Sequence, residues 1–185
     1  MNAATNNRQP TTAILNQLVT QMQNLQVTIG AAAPVAAFDR VELFDSESLL
    51  DAFQLLTISE KRICLVVVLE EHFTTVNRGQ TLISTRQLPV ALLIGDRQMG
   101  SRVEALYGNA NTPGAYGLVE LALPAVTGML IAPPNGVTCE PVSCSVLIVK
   151  NQKEKQNLPG RAAVALELHC TGGNLQANLG PTPVF

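Results

Sequence analysis

Residues 92–106 read LLIGDRQMGSRVEAL, and two folds compete for them. An apolar run stops at Gly95, a polar stretch follows, and Gly100 precedes Ser101 and Arg102. A phosphate-binding loop needs two glycines with four residues between them, then Lys and Ser or Thr. Its backbone N–H groups wrap the phosphates while the lysine neutralises them. Gly95 and Gly100 have that gap. Ser101 and Arg102, however, stand where Lys and Ser or Thr are required, and Asp96 sets a carboxylate where the phosphate would lie. The dinucleotide fingerprint G-x-G-x-x-G does not occur. Phosphate loops also follow the parallel strand of a βαβ unit, whereas this run reads as half of a hairpin. The stretch is therefore expected to be the end of a strand, and a small nucleotide-binding enzyme is the weakest functional reading.

Working back from Gly95, LISTRQLPVALLIGD (82–96) is a long strand, with Pro89 expected at an edge or bulge because it has no N–H for a ladder. TTVNRGQT (74–81) reads as the turn before it, centred on Asn77, Arg78 and Gly79. RICLVVVLEEHF (62–73) is a β-branched apolar run, predicted to be a strand buried on both faces and paired antiparallel with the first. Further upstream, TTAILNQLVTQMQNL carries Ile14, Leu15, Leu18, Val19, Met22 and Leu25 at helical spacing, with Thr11 or Thr12 as its cap. DSESLLDAFQLL is a second, shorter helix, capped by Asp45 or Ser46, with Glu47 near its positive end and Leu49, Leu50, Phe53 and Leu56 on one face.

Downstream, TPGAYGLVELALPAVTGMLIAP places Ala115, Leu118, Val119, Ala122, Val126, Met129 and Leu130 on one helical stripe. Pro113 fits the first turn, and Pro124 is expected to kink or split the helix. VTCEPVSCSVLIVK and RAAVALELHCT are two closing strands joined by the polar loop NQKEKQNLPG. The fold class is thus α+β: a four-stranded, mainly antiparallel sheet of two hairpins, packed by about three helices. Residues 1–10 read as a flexible arm, 11–171 as a single domain, and the Gly- and Pro-punctuated 172–185 as a tail.

Composition narrows the function. The chain has 185 residues, 46% of them hydrophobic but only 14% charged, against the usual quarter. A surface so poor in charge suggests that part of it faces protein, although Asn, Gln, Ser and Thr would also dress it. The net charge of −2 provides no cationic footprint for sequence-independent nucleic-acid binding. No run is long enough for a membrane helix, and MNAATNNRQP lacks a leader pattern, so an unexported intracellular product is expected.

Catalytic signals are weak. Cys64, Cys139, Cys144 and Cys170 form no C-x-x-C pair, three of them sit in strand-like runs as small hydrophobes, and His72 and His169 add no metal-ligand spacing. Glu70 and Glu71 are adjacent, so on a strand they point to opposite faces. Neither a G-x-S-x-G elbow nor an H-E-x-x-H helix is present. No catalytic residue, metal or cofactor is expected.

Recognition is expected in the loops 72–80, 95–112 and 150–161 and at the termini. Arg97, Gln98, Met99, Arg102 and Tyr107 are candidate interface residues, since Arg, Met and Tyr are enriched at interface cores. The competing reading makes Val103, Leu106 and Tyr107 a short helix packed on the sheet. In the 150–161 loop Lys150, Lys153, Lys155 and Arg161 stand against the single Glu154, which marks Lys153 and Lys155 as candidates for a charged partner or as a solvated tip. Phe185 is the last candidate, exposed on the tail.

The order of these elements, and above all TRQLPVALLIGDRQMGSRVEALYG followed by PGAYGLVELALPAVTGML, resembles the tail terminator proteins of tailed bacteriophages, particularly the Mu-like group. The resemblance spans roughly residues 12–170. The long 150–161 loop and the extra tail depart from the simpler members. It implies a non-enzymatic virion protein, assembled in the host cytoplasm into a homo-oligomeric, hexameric ring. Such a ring caps the tail tube, stops its polymerisation and offers a docking surface to the head or neck. Its partners would be tail tube or sheath proteins and neck or connector proteins. No membrane and no sequence-specific nucleic acid are implied, although the genome would pass through the lumen. Another head–tail connector, neck or minor baseplate protein is the alternative.

Overall fold

The structure is a computed structural model and describes residues 5–6, 11–44, 52, 56, 61–78, 81–96, 101–131, 137–147 and 162–178. In chain order its strands are β1 (Thr5–Asn6), β2 (Gln26–Val27), β3 (Val35–Ala36), β4 (Arg40–Leu43), β5 (Ile63–Val68), β6 (His72–Arg78), β7 (Thr81–Gly95), β8 (Met129–Ile131), β9 (Val137–Leu147) and β10 (Ala163–Asn178). Its helices are α1 (Thr11–Gln23), α2 (Arg102–Tyr107) and α3 (Gly114–Val126). Ala52 and Leu56 are helical as well.

The class is α+β, but the sheet is larger than the four strands expected. Its path runs β4-β5-β7-β10-β9-β8, with β6 added beside β7 and β1 beside β10, while β2 and β3 form a separate pair. Every pairing is antiparallel except β4 with β5. The short edge strand β4 escapes notice in the sequence because Arg-Val-Glu-Leu is half polar and only four residues long. Asp39 ties it to the sheet by accepting from the Arg62 backbone N–H at 2.9 Å.

The predicted hairpin is present but longer at its tip. β5 and β6 lie end to end along one side of β7, and the reversal falls between Arg78 and Thr81, which oppose each other. The segment read as a turn from residue 74 is therefore mostly strand. Its threonines and valine suit a pleated surface, and they outweigh the turn signal of Asn77.

Pro89 is at neither the edge strand nor the bulge expected of it. It sits inside β7, an interior strand, opposite His169 of β10. Its carbonyl accepts from the Leu69 N–H at 3.1 Å, so its nitrogen faces the same side, where β5 has ended and β6 has not begun. The missing donor thus falls at a break in the ladder.

The upper half of the sheet is covered on both faces. Cys64, Val66, Leu88, Val90, Leu92, Ile94, Val164, Leu166 and Leu168 bury one face beneath Ile14, Leu15, Leu18 and Met22 of α1 and Ala115, Leu118, Val119, Ala122 and Val126 of α3. Ile63, Leu65, Val67, Ala91, Leu93 and Ala163 bury the other beneath Ala52 and Leu56. This is why β5 and β7 read as continuous apolar runs. Of the expected second helix, Asp45, Ser46, Glu47, Leu49, Leu50 and Phe53 lie outside the described residues.

Pro124 does not split α3 into two helices; it lies in the last turn, and the helix ends two residues later. Met129 and Leu130, expected on the helical stripe, are in β8 instead. β10 continues to Asn178 through Gly172 and Gly173, crossing the expected domain–tail boundary at 171/172. Its far end pairs with Thr5 and Asn6, so two residues of the N-terminal arm belong to the sheet.

Candidate functional site

The stretch after Gly95 turns into a tightly built corner. Asp96 is buried, and its Oδ2 accepts from the Thr112 hydroxyl at 2.5 Å and from the Gly114 backbone N–H at 2.9 Å. Gly114 opens α3, so the carboxylate sits against the positive end of that helix. An incoming phosphate would meet a built-in anion already bound to the donor it needs. Ser101, which occupies the lysine position of a phosphate loop, instead caps α2. Its Oγ accepts from the Glu104 N–H at 3.2 Å, and Glu104 Oε2 accepts from the Ser101 N–H at 3.1 Å. This reciprocal capping box explains why so short a helix forms.

Gly108 and Gly114 lock the corner from the other side. Both have positive φ, 80° and 70°. A Cβ on Gly108 would lie 2.5 Å from the Pro113 backbone, and one on Gly114 would lie 2.2 Å from the Gly108 nitrogen. Two stretches of main chain therefore touch where only glycine fits. Asn109 opposes Thr112 in an isolated bridge between them, and the Asn109 side chain accepts from the Asn111 N–H at 2.8 Å.

On this support α2 presents an apolar face outward. Val103 and Tyr107, one turn apart, are each 67% exposed. Tyr107 stacks on Tyr116 of α3, with ring centroids 5.5 Å apart and 12° between planes. Residues 102–107 are thus the expected short helix, but Val103 and Tyr107 face away from the sheet. Ala105 is buried and Leu106 packs against the core. Arg102 begins the helix and is half-buried. Of the eight candidate interface residues, the structure brings Arg102 and Tyr107 onto this one helix. Arg97, Gln98, Met99, Lys153, Lys155 and Phe185 lie outside the described residues. Val103 and Tyr116 were missing from the candidates. The spacing of Val103 and Tyr107 would have revealed the first, whereas the stacking partner is nine positions away and leaves no local signal.

Among the described residues, a second polar cluster joins β9, β10 and β7. Ser143 Oγ donates to Glu167 Oε2 at 3.0 Å, His169 Nε2 lies 3.3 Å from Glu167 Oε1, and Gln87 Nε2 lies 2.8 Å from His169 Nδ1. The carboxylate stands between hydroxyl and imidazole, so the imidazole does not reach the serine proton. Glu70 and Glu71 lie between β5 and β6 rather than on a strand as expected, and they take different partners, Glu70 pairing with His72 at 3.5 Å and Glu71 with Arg86. Arg86, which no motif in the sequence singles out, is 1% exposed. It pairs with Glu71 Oε1 at 2.5 Å and hydrogen-bonds the Thr11 hydroxyl at the start of α1. Among the described residues no group of three or more His, Cys, Asp and Glu could hold a metal ion, and no helix is long and apolar enough to cross a membrane. Cys64, Cys139 and Cys170 are buried thiols, with Cys144 exposed. Burial pushes the Cys64 thiol well above its ordinary range.

No protein-family model matches this chain, and neither does any curated protein.

Proposed function

We propose that this protein works through association with copies of itself and with other structural proteins, as a phage tail terminator. In this reading it forms a ring on the last turn of the tail tube, ends polymerisation, and carries the docking surface for the neck. The observation that carries the association is the Val103–Tyr107 pair, two exposed hydrophobic side chains on a helix that is fixed by its cap and by the Asp96 corner. Apolar side chains held rigidly outward lose little entropy when a partner covers them. Phe73 and Val76, exposed on the edge strand β6, and the low charged fraction of 14% agree with it. The assignment to a tail terminator rests on the resemblance of the strand–corner–helix segment (residues 85–130).

A head-to-tail interface between identical rings has no intrinsic end, so a terminator must offer one surface like the tube and one unlike it. Projection images and native mass spectra of the purified protein, alone and with tail tubes, test this. A ring with a central hole that blocks further tube growth supports the reading. A strictly monomeric protein that leaves tube length unchanged overturns it.

A further inference from the structure

Cys139 and Cys170 face each other across β9 and β10, directly opposed in register, with sulfurs 3.0 Å apart. We infer that they are a reversible dithiol–disulfide site that staples the two strands together under oxidising conditions. The inference is independent of the proposed function.

The backbone geometry suits the bond. The Cys139 carbonyl accepts from the Gly128 N–H at 3.0 Å, and Cys139 opposes Met129 of β8. Its polar backbone groups therefore face β8 and not β10. The same follows from the other side of β10. The Pro89 carbonyl faces Leu69, which makes Pro89–His169 a pair without ladder bonds and turns the His169 groups toward β9. Those of Cys170, the next residue, then face β7. Cys139–Cys170 is thus a non-hydrogen-bonded cross-strand pair, the kind in which Cα atoms approach to about 4.5 Å and side chains lie closest. That separation lies within the ~4.4–6.8 Å span of natural disulfides.

The surroundings mark Cys139 as the thiol that attacks first. Cys139 and Cys170 share a hydrogen bond between their sulfurs, and it holds the Cys139 thiol below its ordinary range. The same hydrogen bond and burial push the Cys170 thiol above its ordinary range, and the positive charge of Arg86, which opposes Gly172 two residues along, offsets only part of this.

With glutathione disulfide as oxidant, the Cys139 thiolate attacks one of its sulfurs, and glutathione leaves as a thiolate. The Cys170 thiolate then attacks the Cys139 sulfur of the mixed disulfide and expels the second glutathione. The two cysteines lose two protons and two electrons, and one glutathione disulfide becomes two glutathiones. Both cysteines are fully buried, so exchange proceeds through local opening of the sheet margin, where β8 is only three residues long.

The test uses the full chain carrying Cys144→Ser, which removes the exposed thiol. The native protein is equilibrated with glutathione disulfide, quenched with acid, denatured, alkylated with N-ethylmaleimide and weighed intact. A parallel sample is unfolded and refolded in a glutathione redox buffer, so that access does not limit the result. The expected product carries a single alkylation, at Cys64. A non-reducing peptide map then links Cys139 to Cys170, and the thermal midpoint rises by several degrees. Dithiothreitol reverses all three changes, and adding Cys170→Ser abolishes them. Full alkylation of Cys64, Cys139 and Cys170 in both samples, or a link through Cys64, overturns the inference.

Discussion

At the scale of single residues, Asp96 shows how far chemistry can be read from a string. Its negative charge is enough to argue against a phosphate loop. What it does instead is not legible, because its partner Gly114 lies 18 residues away. Asp96→Ala removes the acceptor from two buried donors and should lower stability by about 2 kcal/mol, read as a drop in the denaturant midpoint at unchanged slope. Gly114→Ala should cost at least as much. The new Cβ would meet the Gly108 main chain, and the left-handed backbone adds about 1 kcal/mol of its own. Thermal unfolding of both variants checks the pair. If Gly114→Ala melts with the wild type, the close approach of the two backbones is wrong.

At the scale of elements, strong periodicity was legible and weak periodicity was not. α1 and α3 declare themselves because each carries a stripe that the core buries, and β5 and β7 because both their faces are covered. β4 and β8 are hidden because three or four residues hold too little pattern, and β6 because Asn77-Arg78-Gly79 looks like a turn. Pro89 misleads for a related reason: a missing donor signals a gap in a ladder, and here the gap is inside the sheet. α2 is where function would be tested. Val103→Asp puts a charge on the exposed face and should disrupt ring assembly, while shifting the monomer's stability by no more than about 0.5 kcal/mol. Arg102→Glu should likewise weaken assembly and leave the monomer's thermal midpoint nearly unchanged. Sedimentation and calorimetry on the same samples separate the two effects. A large fall in the midpoint for Arg102→Glu would assign that half-buried side chain to the fold.

At the scale of the whole molecule, the α+β class was legible and the strand count was not. The expected sheet had four strands, and its path has six with two more alongside. The difference lies at the margins, where short strands gain their stability from a neighbour already in place rather than from their own residues. The middle of the sheet has its own history. β10 lies between β7 and β9, yet it is the last described strand in the chain. Its partners on β7 are about eighty positions earlier. A chain stopped after Ala162 should therefore stay unfolded or aggregate, with no cooperative melting transition, and circular dichroism on heating would reveal it. During synthesis, the long β5–β6–β7 hairpin must wait with one flank unsatisfied until β10 emerges. The molecule closes from the centre, late and all at once, and the cell's chaperones would meet it chiefly in that interval.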